Sequence, residues 1–219
     1  MNRKQEKRTQ RKGKTWLPLI KQHISNHKRE YCIVALLFLI GIVVGILFVN
    51  NMAQAEVSKT QEYLNNFITA LKTDYQIDQG VLLKNSIVQY ILLAVLLWFM
   101  GSTVIGIPVV YAIVAIRGFS LGYTVSSIIA TLGVGKGILF CVSTMLLQNI
   151  VAIPAILALA VSGIKLYQSI VKDNRRENIK LEICRHTIFS IFMLILLLFS
   201  SIIEAYLSSN LLMWTVTMM

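Results

Sequence analysis

Charged residues are scarce in this chain of 219 residues, of which only 14% are Asp, Glu, Lys or Arg. A soluble domain carries about 25% charged residues, because its surface faces water. The 3 cysteines are too few for a disulfide scaffold, and 12 glycines with 3 prolines exclude a collagen-like repeat. Hydrophobic residues reach 56% and the mean hydropathy is +0.67, which excludes a disordered chain. A polytopic membrane protein remains.

Long uncharged runs separate the few blocks of charge. A helix needs about 20 residues to cross the hydrocarbon core, where only helices and closed barrels satisfy their backbone. The runs lack the alternation of barrel strands, so we predict an all-α polytopic fold with five transmembrane helices. The predicted helices cover residues 31–49, 87–108, 118–135, 138–164 and 186–206.

The distribution of Lys and Arg predicts the orientation of these helices. Residues 1–30 hold ten Lys and Arg against two Glu, and residues 165–185 hold six against three acids. Both segments are expected in the cytoplasm, where basic residues near the spans meet anionic lipid rather than nucleic acid. The N-terminus is then inside and the C-terminus outside. Residues 50–86 form an outer loop, 109–117 an inner connection and 207–219 an outer tail.

Four polar residues interrupt the apolar runs and are the candidate site for transport of a small solute or lipid. They are Arg117, Gln148, Asn149 and Glu204. Ionisable residues inside a membrane are by default candidates for function. Three alternatives stay open. Glu204 and Arg117 can lie at the ends of their spans with their charges among the lipid headgroups. The two amides can form hydrogen bonds between helices, and the chain around Arg117 can be re-entrant.

Motifs of enzymatic chemistry are missing from the sequence. There is no G-x-S-x-G nucleophile elbow and no H-E-x-x-H zinc motif. We therefore expect no catalytic residues, no metal and no cofactor.

The outer loop contains an apolar stripe at helical spacing. Its residues follow the i, i+3, i+4, i+7 pattern of an amphipathic helix. We expect this helix to contact a partner protein outside the membrane; the alternatives are a helix lying flat on the membrane or capping the bundle. The stripe consists of Leu64, Phe67, Ile68, Leu71 and Tyr75.

Two G-x-x-x-G pairs offer a second contact surface. Gly41 and Gly45 lie in the first span, and Gly118 and Gly122 begin the third. Small residues one turn apart let helix backbones approach closely. This packing can occur within one chain, against a partner, or between copies in a homo-oligomer.

An ordered set of elements resembles the stage II sporulation protein M family of endospore-forming bacteria. Asn85 opens the second span, and Gly101 and a Gly106–Pro108 G-I-P element close it. The segment Arg117–Gly122 and the Ile153–Ala155 I-P-A element follow. With the basic tail, the outer loop and five spans, the resemblance covers almost the whole chain.

The resemblance implies a multi-pass scaffold of the cell membrane, located at the sporulation septum and in the engulfing mother-cell membrane. Its implied partners are stage II sporulation proteins D and P, which degrade peptidoglycan. Many broader relatives carry Pro-His-Gly and an acidic residue before the I-P-A element, whereas this chain has Leu147, Gln148, Asn149 and Ala152. The missing ionisable groups favour a scaffold over a transporter.

Overall fold

The computed structural model describes residues 28–73, 77–103, 106–172 and 179–218, which are almost entirely helical and contain no strand. Most of the basic tail, and Tyr75, lie outside the described residues. The helices are α1 (Lys28–Asn50), α2 (Gln54–Thr73), α3 (Gln79–Gly101), α4 (Gly106–Leu132), α5 (Val134–Cys141), α6 (Leu147–Lys172), α7 (Ile179–Ile202) and α8 (Ser209–Met218). Two π-helical segments, Val142–Leu146 and Ile203–Ser208, join α5 to α6 and α7 to α8 without a break.

Five segments of the described chain are long and apolar enough to cross a membrane, which confirms the predicted all-α class and number of spans. Their orientation stays a prediction. The spans are Lys28–Asn50, Gln79–Gly101, Gly106–Leu132, Val134–Ile170 and Ile179–Thr217.

The inner connection expected over residues 109–117 is instead part of α4, which runs without interruption from Gly106 to Leu132. Pro108 occupies the first turn of this helix. Backbone N–H groups in a first turn have no partner within the helix, so the N–H that proline lacks costs no hydrogen bond there. The proline therefore starts α4 rather than ending α3, and no re-entrant turn surrounds Arg117 in this part of the structure. Arg117 lies near the middle of a long apolar helix.

The fourth span forms the centre of the bundle. In its apolar window 61% of the residues are buried, against 22% in α1. Leu159, Val161 and Ile164 of α6 are fully enclosed, and α6 packs against α1, α3, α4 and α7. The other spans keep one face exposed, as expected for helices that border lipid.

The two G-x-x-x-G pairs pack against each other, so that α1 and α4 approach at backbone distance. A Cβ built on Gly45 would lie 2.8 Å from Tyr123 N, and one on Gly122 would lie 2.9 Å from Ile42 Cα. Gly41 and Gly45 are buried in this contact, which leaves neither for a partner protein or a second copy.

We expect Gly122→Ala to lower the unfolding free energy by about 1–3 kcal/mol, because the added methyl group has no room in the α1–α4 contact. The measurement is SDS-induced unfolding of the purified protein in mixed micelles. Gly135→Ala is the matched control, since a Cβ on Gly135 meets nothing within 4 Å. Equal stabilities of the two variants would contradict the close contact.

Candidate functional site

A cavity of about 200 Å³ lies inside the bundle and is bordered by all five spans. It unites the four polar residues that the sequence offered as a transport site. Their convergence could not be read from the sequence, because it depends on how each helix is rotated. The lining residues are Phe38, Gln89, Tyr90, Arg117, Ser120, Leu121, Thr124, Met145, Gln148, Asn149, Ala152, Ile153, Ile156, Leu157 and Glu204.

The two charges of this cavity are not paired with each other. No ion pair within 4.0 Å joins Arg117 and Glu204, and Arg117 forms no hydrogen bond to any described residue. The Ser86 hydroxyl donates a hydrogen bond of 2.5 Å to Glu204 Oε2. Each charge therefore keeps hydrogen-bonding capacity that the surrounding helices leave unused.

The two amides of the cavity are only partly satisfied. Asn149 Nδ2 donates to the Met145 carbonyl oxygen at 2.9 Å. Gln148 Oε1 is buried and has no hydrogen-bond partner among the described residues. A buried acceptor without a partner is costly, so its presence indicates a polar ligand or water at this position.

Both π-helical segments border the cavity. Val142–Leu146 ends just before Gln148, Ile203–Ser208 contains Glu204, and the two segments contact each other. A π-helical hydrogen bond spans five residues instead of the four of an α-helix, which changes the direction of the side chains that follow. Such segments occur often at functional sites. The sequence gives no signal for either segment.

A larger cavity of about 710 Å³ adjoins the first and shares Thr124, Met145, Gln148 and Glu204 with it. It extends to α2 at Phe67, and apolar atoms form most of its lining surface. Gln148 and Glu204 therefore stand between the inner polar cavity and this outer chamber. Its other lining residues are Ile77, Asp78, Val81, Leu82, Asn85, Ile128, Phe140, Thr144, Ser208, Ser209 and Leu212.

The amphipathic helix expected in the outer loop is present as α2, and its stripe is largely covered by the bundle. Ile68 and Leu71 are only 9% and 4% exposed. They pack against Leu212 and Val216 of α8, where an outer tail from residue 207 was expected. The stripe therefore caps the bundle, because α4, α5 and α8 supply the apolar surface that it needs.

An aromatic pair remains exposed on α2. Phe67 is 36% exposed, and Tyr63, one turn earlier, is 73% exposed. Leu64 is half-buried between the two faces. Sequence reasoning missed Tyr63, although its i, i+4 spacing to Phe67 was the available signal.

A second buried polar contact lies away from the cavity. The Ser162 hydroxyl and His186 Nδ1 are 2.8 Å apart, and both residues are buried between α6 and α7. Trp98 Nε1 donates to Thr187 Oγ1 at 3.2 Å nearby. No group of three or more His, Cys, Asp or Glu side chains suited to a metal occurs in the described residues. The Ser162–His186 contact joins α6 to α7, as interhelical polar pairs do.

Five apolar spans around a polar cavity, with one amphipathic helix capping the bundle, define a multi-pass integral membrane protein. The family model for stage II sporulation protein M matches residues 34–209. Since the match covers most of the chain, the protein belongs to that family and is a sporulation-related membrane protein. No curated protein and no solved structure matches the chain.

We expect Ser86→Ala to lower the unfolding free energy by about 1 kcal/mol, because Glu204 loses its hydrogen bond inside the bundle. Ser169→Ala is the control, since Ser169 forms no side-chain hydrogen bond to a described residue. Both variants are unfolded with SDS in mixed micelles. Indistinguishable midpoints would show that the Ser86–Glu204 bond contributes nothing.

Proposed function

We propose that the protein is a non-enzymatic scaffold that recruits and retains peptidoglycan hydrolases at the sporulation septum. There it would serve migration of the septal membrane and engulfment of the forespore. Membership of the stage II sporulation protein M family supports the sporulation setting. The observation that carries the scaffold is the exposed aromatic pair on α2, a helix fixed to the bundle by its opposite face.

The geometry of α2 suits a docking surface. Its buried residues Ile68 and Leu71 fix the helix, so binding does not have to order it. Tyr63 and Phe67 are aromatic residues of the kind that dominate protein interfaces. The predicted orientation puts this helix outside the membrane, on the side where peptidoglycan lies.

The proposed partners are stage II sporulation proteins D and P. A scaffold needs no catalytic group of its own, because holding two hydrolases at one membrane patch raises their effective concentration. Migration of the membrane would then follow the place where peptidoglycan is removed.

We expect Tyr63→Asp with Phe67→Asp to reduce recovery of the two hydrolases about tenfold or more in a pull-down from sporulating cells. Interface aromatic residues often contribute about 2 kcal/mol each, and a charge in their place opposes burial. Thr69→Asp is the matched control, an exposed position on another side of the same helix. Tagged protein is quantified in every sample.

Recovery that is unchanged in the double variant would move the contact away from α2. Absence of both hydrolases from the unsubstituted protein, at native expression, would remove the scaffold proposal.

Transport of a small solute or lipid is a second candidate function. The convergence of Arg117, Gln148, Asn149 and Glu204 in one cavity, next to a chamber that reaches α2, supports it. A transporter needs polar groups that face the bundle interior, which these residues provide.

Engulfment measured by membrane-dye microscopy separates the two functions. If the scaffold is the essential activity, Arg117→Gln with Glu204→Gln should leave engulfment close to normal, whereas the Tyr63 and Phe67 substitutions should stop it. The reverse pattern, at equal protein levels, would favour transport and contradict the scaffold.

A further inference from the structure

Opposite charges that do not satisfy each other are unusual inside a membrane bundle. Arg117 has no hydrogen bond or ion pair to a described residue, and Glu204 receives one hydrogen bond, from Ser86. A guanidinium group has five N–H donors, and a carboxylate accepts about four hydrogen bonds. Both groups border the same 200 Å³ cavity, so one small ligand can reach both.

The pair of charges restricts the class of ligand. A simple anion would neutralise Arg117 and leave the carboxylate unpaired, and a simple cation would do the reverse. Unpaired charges are expensive in a region of low dielectric constant. A ligand that carries both signs on neighbouring groups pairs both residues at once, with little net charge brought into the bundle.

We propose that the cavity binds a compact zwitterion, whose phosphate or carboxylate pairs with Arg117 and whose ammonium group pairs with Glu204. The orphaned carbonyl oxygen of Gln148 is a further acceptor for the ammonium group, and the Ser120 hydroxyl is a donor for the anion. This assignment holds whether the protein serves as a scaffold or as a transporter.

The cavity has room for a small polar ligand. Its volume of about 200 Å³ exceeds the roughly 10–15 Å³ that one ordered water needs. Phosphoethanolamine and small amino acids are compact molecules that carry both charges. Two kinds of ligand carry these groups: a free solute and the headgroup of phosphatidylethanolamine. The acyl chains of that lipid would lie in the adjoining 710 Å³ chamber, whose lining surface is mostly apolar.

The test measures binding to the purified full-length protein with four probes, two lipids and two free solutes. Native mass spectrometry after extraction from membranes of phosphatidylethanolamine and phosphatidylglycerol reports the retained lipid. Thermal unfolding in a neutral detergent, with millimolar phosphoethanolamine or with inorganic phosphate alone, reports the free solutes. We expect preferential retention of phosphatidylethanolamine, or a higher melting temperature with phosphoethanolamine than with phosphate.

Arg117→Gln and Glu204→Gln should each weaken that binding about tenfold or more, because each removes one charge-assisted contact. Arg185→Gln is the control: it makes the same chemical change as Arg117→Gln, outside the cavity. Arg117→Lys and Glu204→Asp, which keep both charges, replace the Gln variants if the latter do not fold.

The results distinguish a lipid ligand from a free solute, and they can also contradict the zwitterion site. Retained phosphatidylethanolamine assigns the site to a lipid, and a response to phosphoethanolamine alone assigns it to a free solute. Equal retention of the two lipids together with an equal response to phosphoethanolamine and inorganic phosphate would overturn the zwitterion site, and so would binding that the charge-removing variants leave unchanged. Pull-down of the hydrolases is measured separately, so the scaffold proposal is tested independently of the zwitterion site.

Discussion

Ionised side chains in the middle of membrane helices constrain how those helices can be arranged. Placing an arginine or a carboxylate in hydrocarbon costs about 3 kcal/mol on insertion scales, so the helices that carry them turn those residues inward. Here Arg117 and Glu204 come from the third and fifth spans and border one cavity. All five spans surround it, and their remaining faces are apolar. The rotation of each helix is thus linked to the position of two charges.

Close packing on one side of the bundle complements the open space on the other. Gly118 and Gly122 bring α4 against α1 at backbone distance, while Arg117 and Leu121, each one residue earlier, border the cavity. One helix therefore presents a glycine face for packing and an adjacent face for the polar site. The π-helical segments allow the fourth and fifth spans to remain continuous while their side chains change direction beside the cavity.

The proposed docking surface and the cavity involve different parts of the molecule. Tyr63 and Phe67 lie on the face of α2 that the bundle leaves uncovered, whereas the charges lie among the spans. Phe67 nevertheless borders the outer chamber, so a partner bound to α2 would lie at its entrance. A ligand in the cavity and a partner on α2 would then be able to influence each other's binding through this one helix, by linkage between two sites.

The composition and the lengths of the uncharged runs predict the helical class and the five spans, because crossing a bilayer requires apolar helices of about 20 residues. The continuity of α4 was not predictable, since Pro108 is compatible with the end of one helix and the first turn of the next. Periodicity predicts α2, but not that Ile68 and Leu71 would be covered by the far end of the fifth span. The four polar residues were identifiable one by one; their meeting depends on helix rotation and on π segments, which no local pattern encodes.

Because the cavity of the two charges adjoins the chamber that reaches α2, we expect water to enter it from the α2 side, and thiol accessibility tests this access most directly. Thr124, which lines both cavities, is changed to Cys after the native cysteines are replaced by alanine. A membrane-impermeant methanethiosulfonate is applied from the α2 side. Thr69→Cys on α2 is the accessible reference, and Ile116→Cys on the exposed apolar face of α4 is the inaccessible one.

The account predicts that Thr124→Cys reacts more slowly than Thr69→Cys and clearly faster than Ile116→Cys. Reaction no faster than that of Ile116→Cys, or reaction only from the opposite side, would contradict it.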